Sequence, residues 1–132
     1  MTLPGIDQLL ARPEKYLKGK TVGLLVNHTS MASDHQHSIT HFNSHSSFTL
    51  NALCAPEHGL YGIAQDMIEI ENEIDPVSGL TISSLYGKTV ETLEPDPTTL
   101  AEVDNLVFDI QDVGARYYTF IYTMAKCMDA CK

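Results

Sequence analysis

Two short stretches concentrate the residues able to do chemistry. "CAPEHGLYG" (54–62) sets Glu57 and His58 directly behind an apolar run, in a turn that Gly59 and Gly62 leave bare. "FDIQDVGARYYTF" (108–120) sets Asp109, Gln111, Asp112, Arg116 and Tyr117 behind another. Carboxyl and imidazole groups move protons, and a glycine turn lets a ligand come close to the backbone. A third polar cluster, Asn27-His28-Thr29, follows a third apolar run. In an open α/β sheet, ligands bind outside the carboxyl ends of the strands. Adjacent strands lie about 4.8 Å apart, so the three clusters can converge on one pocket. Arg116, Tyr117 and Tyr118 are expected to open the last helix, where backbone N–H groups and a guanidinium favour an anion.

Each of these residues also has a plainer reading. Asn27 and Thr29 can do no more than cap a turn, His58 can be a satisfied core histidine, and Tyr117 can be core. Asp112 ahead of Gly114 can be only a turn. Glu57 is the hardest to explain away, because a glutamate between a strand end and a glycine turn gains nothing as a helix cap. His37, His41 and His45 are spaced i, i+4, i+8 and would share a helix face able to hold a metal. A solvated polar face explains them more simply, and no metal is expected. Cys54, Cys127 and Cys131 are an odd number in apolar surroundings, which argues for core packing and not for a disulfide framework.

The elements that must position these groups are legible as alternating patterns. "IDQLLARPEKYLKGK" reads as a short helix and a basic turn. "TVGLLVNH" (21–28), "FTLNALCAP" (48–56) and "NLVFDIQD" (105–112) read as buried strands. "SDHQHSITHFNSHSS" reads as a helix capped by Ser33 or Asp34, with Ile39 and Phe42 on its apolar side. "DPTTLAEVD" is a short helix with Pro97 in its first turn. "ARYYTFIYTMAKCMDACK" is a closing helix with two apolar stripes, and so is expected to be packed on two sides. The long excursion 59–96 should hold one or two short strands, and an excursion of that length at a strand exit is more often functional than idle. Unbroken apolar strands alternating with helices give an α/β fold with a parallel sheet covered on both faces. No internal repeat or low-complexity tract interrupts the pattern.

Composition narrows the partners. The chain has 132 residues, enough for one domain with a real core, and its 43% apolar and 19% charged residues are an ordinary globular balance. Eight basic against 17 acidic residues leave a net charge of −9, which repels phosphate backbones and excludes nucleic acid as an expected partner. No run approaches the ~18–20 apolar residues of a membrane span. The start, "MTLPGIDQLL", lacks the pattern of a signal peptide. The first strand is followed by "NHTS" with no G-x-G-x-x-G, so no dinucleotide and no other cofactor is expected.

Taken together, "GLLVNHTS", "CAPEHGLYG", "SGLTISSLYG" and "LVFDIQDVGARYYTFIYTM" resemble, in that order, the amino-terminal part of the DUF1343 family. That family is represented by exo-β-N-acetylmuramidases, which release N-acetylmuramic acid from the non-reducing end of peptidoglycan fragments. The resemblance runs over nearly the whole chain. It implies a Rossmann-like amino-terminal domain, residues 1–132, of a two-domain enzyme whose active site lies between the domains. The carboxy-terminal domain would then be missing, and the chain alone is expected to be nearly inactive. It also implies a bacterial cell-envelope, secreted or cytoplasmic setting.

Matching the family motifs residue by residue implicates Asn27, His28, Glu57, His58, Asp109, Gln111, Arg116 and Tyr117. Glycoside cleavage needs an acid on the leaving oxygen and usually a second carboxylate; the resemblance casts Glu57 as the first and Asp109 as the second. Arg116 would read the lactyl carboxylate of muramic acid. Asn27, His28, His58, Gln111 and Tyr117 would contact the sugar. The stretch "YGIAQDMIEIENEID" departs from the more glycine-rich family pattern, as does the histidine-rich segment. Two alternatives stand beside this one: a non-catalytic carbohydrate-binding remnant, and an aspartate-dependent phosphatase-like domain. The strand "LVFDIQD" is similar to that of haloacid-dehalogenase-type phosphatases, but Gln111 replaces the acidic residue that helps hold magnesium there.

Overall fold

Unbroken runs of β-branched and leucine residues set the strands of the computed structural model, which describes residues 2–62, 73–85 and 94–132. In chain order the elements are α1 (Gly5–Leu10), a 3-10 turn (Pro13–Lys15), β1 (Thr21–Val26), α2 (Ser38–Ser44) and β2 (Thr49–Ala55). There follow β3 (Glu73–Ile74), β4 (Thr81–Ser84), α3 (Pro97–Ala101), β5 (Asn105–Asp109) and α4 (Phe120–Ala130). The five strands form one sheet in the order β3-β4-β2-β1-β5. β1 pairs in parallel with β2 and β5, and β2 in parallel with β4. β3 alone runs antiparallel, against β4, so the expected parallel sheet carries a short hairpin on one edge.

Period-two alternation sends side chains to two faces. Val22, Leu24 and Val26 of β1, with Leu53 and Ala55 of β2, meet Ile6 of α1 and Ile39 and Phe42 of α2 in the larger core cluster. Leu25 and Cys54 point the other way and meet Cys127 of α4, beside Leu106 and Phe108 of β5. Helices therefore cover both faces, as expected. Gly23 faces the second side, where a Cβ would lie 3.0 Å from Leu106 Cδ1 and the leucine side chain would have to shift to admit it.

Several boundaries differ from the sequence expectation, each for a local reason. α2 is capped neither by Ser33 nor by Asp34. Ser33 instead donates through N–H and hydroxyl to Asp7 Oδ1, and Asp34 Oδ1 accepts from Gln36 N–H. The cap is His37, whose Nδ1 accepts from Ile39 N–H at 3.2 Å. The three histidines share no helix face. His37 is extended ahead of α2, His41 pairs with Asp34 at 3.2 Å, and His45 lies past the helix end and stacks on Phe48.

α4 starts at Phe120 and not at Arg116. Asp112 Oδ2 accepts from Gly114 N–H, Gly114 takes a φ of 70°, and Tyr118 N–H returns to Ala115 carbonyl. These turns keep 112–118 out of the helix, and Arg116 is not at its opening. α4 is buried on one side only, through Phe120, Thr123 and Cys127; Ile121, Tyr122 and Met128 are exposed. The sheet offers it one surface. Cys54 and Cys127 are core residues as expected, and burial pushes both thiols up to about 12; Cys131 is exposed.

The excursion after β2 holds the two short strands β3 and β4, while "IAQDMIEIEN" (63–72) and "YGKTVETL" (86–93) lie outside the described residues. Asp75 organises the turn between β3 and β4. It is almost fully buried and accepts from Val77 N–H, Ser78 N–H, the Ser78 hydroxyl and Tyr61 Oη. Desolvation works against its charge, but the hydrogen bonds from Ser78, Tyr61 and Val77 prevail and hold the carboxyl below its ordinary value of 3.8. A depressed native pKa contributes stability that is present above the unfolded value and lost as pH falls through the native one. Asp75→Asn should therefore lower stability at neutral pH and flatten its dependence below pH 3.8. Urea denaturation of both chains between pH 7 and pH 2.5 measures this; parallel curves would assign the acid sensitivity elsewhere.

Candidate active site

Register brings the strand ends level. Val26 pairs with Asp109 and Ala55 with Ser84, so β4, β2, β1 and β5 finish along one edge of the sheet. The groups that follow are His28 after β1, Glu57 and His58 after β2, and Asp109 at the end of β5.

The turn carrying Glu57 is rigidly held. Pro56 is fully buried, Gly59 N–H closes on Pro56 carbonyl at 3.0 Å, and Leu60 inserts into the larger core cluster. His58 sits at φ 70° and Gly59 at φ 74°. A non-glycine residue there is strained, a condition that persists where the surroundings dictate it and that clusters at functional sites. Glu57 is half-buried, and its Oε2 accepts from the Thr119 hydroxyl at 2.8 Å, which ties the β2 exit to the start of α4. The His28 ring lies across Gly62, where a Cβ would come within 2.4 Å of Nδ1. The β1 exit and the Glu57 turn are thus in direct contact.

A second network holds Asp109. Ser38 is completely buried, and its Oγ lies between Ser30 carbonyl at 3.1 Å and Asp109 Oδ2 in close contact. A hydroxyl has one proton to give, and the carboxylate is the stronger acceptor. The Ser30 hydroxyl donates to Asp109 carbonyl and accepts from Asn27 N–H at 3.0 Å. His37 Nε2 donates to Asn27 carbonyl at 2.9 Å, the tautomer fixed by Nδ1 accepting at the α2 cap. Asn27 Oδ1 accepts from Thr29 N–H and Oγ1, so the turn-capping reading describes what that oxygen does.

Gln111, Arg116 and Tyr117 stand apart from these networks. All three are exposed, Tyr117 at 95%, and none of their side chains bonds to Glu57 or Asp109 among the described residues. The core reading of Tyr117 is thereby excluded. Their loop nevertheless leaves the end of β5 and returns to Thr119, beside Glu57. Sequence reasoning missed Thr119, Ser30 and Ser38. Only Ser30 carried a usable signal, through its place in the cluster after β1. A cavity of about 810 Å³ beside α1, lined by Leu3, Asp7, Arg12 and Tyr16 among others, contains none of the candidate residues. No group of three or more metal-ligating side chains occurs among the described residues.

A mostly parallel sheet covered by helices defines an α/β domain, and two hydroxyl-held carboxylates stand at its strand exits. The comparisons with known proteins specify it further. Residues 22–132 match the family model described as exo-beta-N-acetylmuramidase NamZ, N-terminal, and the chain belongs to this family. It is 45% identical over 128 residues to the peptidoglycan beta-N-acetylmuramidase NamZ of Bacillus subtilis (strain 168), covering 97% of this chain and 30% of that one. The crystal structure of a DUF1343 family protein from Bacteroides fragilis superposes with a TM-score of 0.82 at 38% identity, over 97% of this chain and 31% of that one. The chain thus spans about a third of the length of either relative.

The contact between His28 and Gly62 is open to test. Gly62→Ala puts a Cβ both at a φ of 68° and against the imidazole. The left-handed backbone alone costs about 1–2 kcal/mol. The variant should lose at least that much stability in urea, and the His28 ring resonances should shift. An unmoved His28 spectrum would show that the ring does not depend on Gly62.

Proposed function

We propose that the chain is the amino-terminal part of a glycoside hydrolase that releases N-acetylmuramic acid from the non-reducing end of peptidoglycan fragments. The observation that carries the reading is Glu57, placed on a strained, core-anchored turn at the strand edge of a chain that belongs to this family. Glu57 is the acid that protonates the leaving oxygen, and Asp109 is the second carboxylate, serving as nucleophile or activating water. His28, whose ring lies on Gly62, and His58, the residue after the acid, are assigned to sugar contacts. Asn27, Gln111 and Tyr117 are assigned to hydroxyl and acetamido contacts on the sugar. The remaining two thirds of the relatives' length is assigned a second domain closing the cleft. Without it, water enters and orientation is lost, so residues 1–132 alone turn over substrate poorly.

Muramic acid differs from N-acetylglucosamine by a lactyl carboxylate, and a pocket that selects it needs a local cation. Arg116 takes this role: it stands three residues from Thr119, on a loop anchored at Glu57. In an acidic chain such a cation is the more selective.

Two substitutions in the full-length protein check these assignments. Glu57→Gln should fold normally and bind sugar, yet lose about 10²–10⁴-fold in turnover of a muramic acid disaccharide, the range for losing general acid catalysis. A nitrophenyl glycoside, which needs less protonation, should be partly spared. Near wild-type turnover of the disaccharide would place the acid elsewhere. Arg116→Met should weaken the muramic acid substrate by about 1.5–3 kcal/mol, the worth of a charge-assisted hydrogen bond, and an N-acetylglucosamine analogue far less. Equal losses on both sugars would remove Arg116 from lactyl recognition.

A further inference from the structure

Thr119 stands at the N-cap of α4, where a threonine side chain ordinarily accepts from a backbone N–H of the first turn and stabilises the helix by about 1 kcal/mol. Here it makes no such bond. Its φ of −89° and ψ of −5° are nearly helical, and its hydroxyl donates instead to Glu57 Oε2 at 2.8 Å, across 62 residues of sequence. The rest of the residue is fixed from the helix side. Thr119 carbonyl accepts from Thr123 N–H at 2.9 Å and from Thr123 Oγ1 at 3.2 Å, and Thr123 is completely buried. Phe120, the next residue, is also in the interior. A rigid helix therefore presents one hydroxyl to one oxygen of the carboxyl group, and the helix forgoes its own cap to do so.

We propose that Thr119 is a positioning residue for the proton transfer carried out by Glu57, an inference that rests on the acid role assigned to Glu57 above. Because Oε2 already receives the Thr119 proton, the proton that the acid delivers is carried on Oε1. As the glycosidic C–O bond breaks, its electron pair leaves on the oxygen, which takes the proton from Oε1; the O–H pair stays on the Glu57 carboxylate, and the anomeric carbon bonds to Asp109 or to the water it activates. The Thr119 hydrogen bond to Oε2 strengthens as that charge develops, so it is worth more in the transition state than in the ground state. The effect should appear in kcat and not in substrate binding.

The test uses Thr119→Val, Thr119→Ser, Glu57→Gln and the Thr119→Val/Glu57→Gln double variant of the full-length protein. Thr119→Val should lower kcat on a muramic acid disaccharide about 10–100-fold. KM should stay within about 2-fold, and the loss on a nitrophenyl glycoside should be smaller. Thr119→Ser keeps the hydroxyl and should recover most of the rate. The double variant should be no slower than Glu57→Gln alone, since both changes remove the same interaction. Thr119→Val with unchanged kcat, beside an inactive Glu57→Gln, would overturn the positioning role and leave the acid role standing. An active Glu57→Gln would overturn both. A loss in Thr119→Val that Thr119→Ser does not restore, or that is equal on both substrates, would reduce Thr119 to a helix-start residue. If thermal unfolding shows that Thr119→Val has lost its fold, Thr119→Ala is judged by the same criteria.

Discussion

β1 must be dry on both faces, and the rest of the architecture follows from that constraint. Its backbone pairs in parallel with β2 on one side and β5 on the other, and Val22, Leu24, Leu25 and Val26 are fully buried. Parallel neighbours require crossover connections, which place helices over the sheet. α1 and α2 cover one side and α4 the other. The same pairing levels the carboxyl ends of the strands, and the polar residues that follow have nowhere to go but one edge. The candidate polar groups are gathered by the need to bury hydrocarbon.

At that edge the two candidate carboxylates share a design. Each offers one oxygen to a hydroxyl carried by a helix of its own, Thr119 for Glu57 and Ser38 for Asp109. A neutral hydroxyl holds a carboxylate in place without adding a formal charge beside it. Neither carboxylate is paired with a lysine or arginine among the described residues. Asp75 is held the same way, by the Ser78 and Tyr61 hydroxyls, whereas Asp104 and Asp129 lie beside Lys20 and Lys132.

The strands were legible in the sequence because burial on both faces leaves an unbroken apolar run, and each lies within a residue or a few of where the pattern puts it. The convergence of strand ends followed from fold class alone, and the family was legible from long contiguous motifs. Boundaries failed where a side chain overrode the period. His37 looked helical by spacing but serves as an extended cap. The run from Arg116 to Tyr118 looked helical by composition but is held in turns by Asp112 and Gly114. Thr119 and Ser38 could not be read as site residues, because their partners lie 62 and 71 positions away and neither carries a periodic signal.

The left-handed backbone at His58 bears on any attempt to make the protein hardier. Glycine or asparagine would occupy that φ of 70° at lower energy, and a screen ranked by melting temperature would favour them there. The gain would come from removing an imidazole next to Glu57. Under the role proposed for His58, resistance to heat and fitness for the chemistry pull in opposite directions at this position, and a library sorted on the first would steadily erase the second.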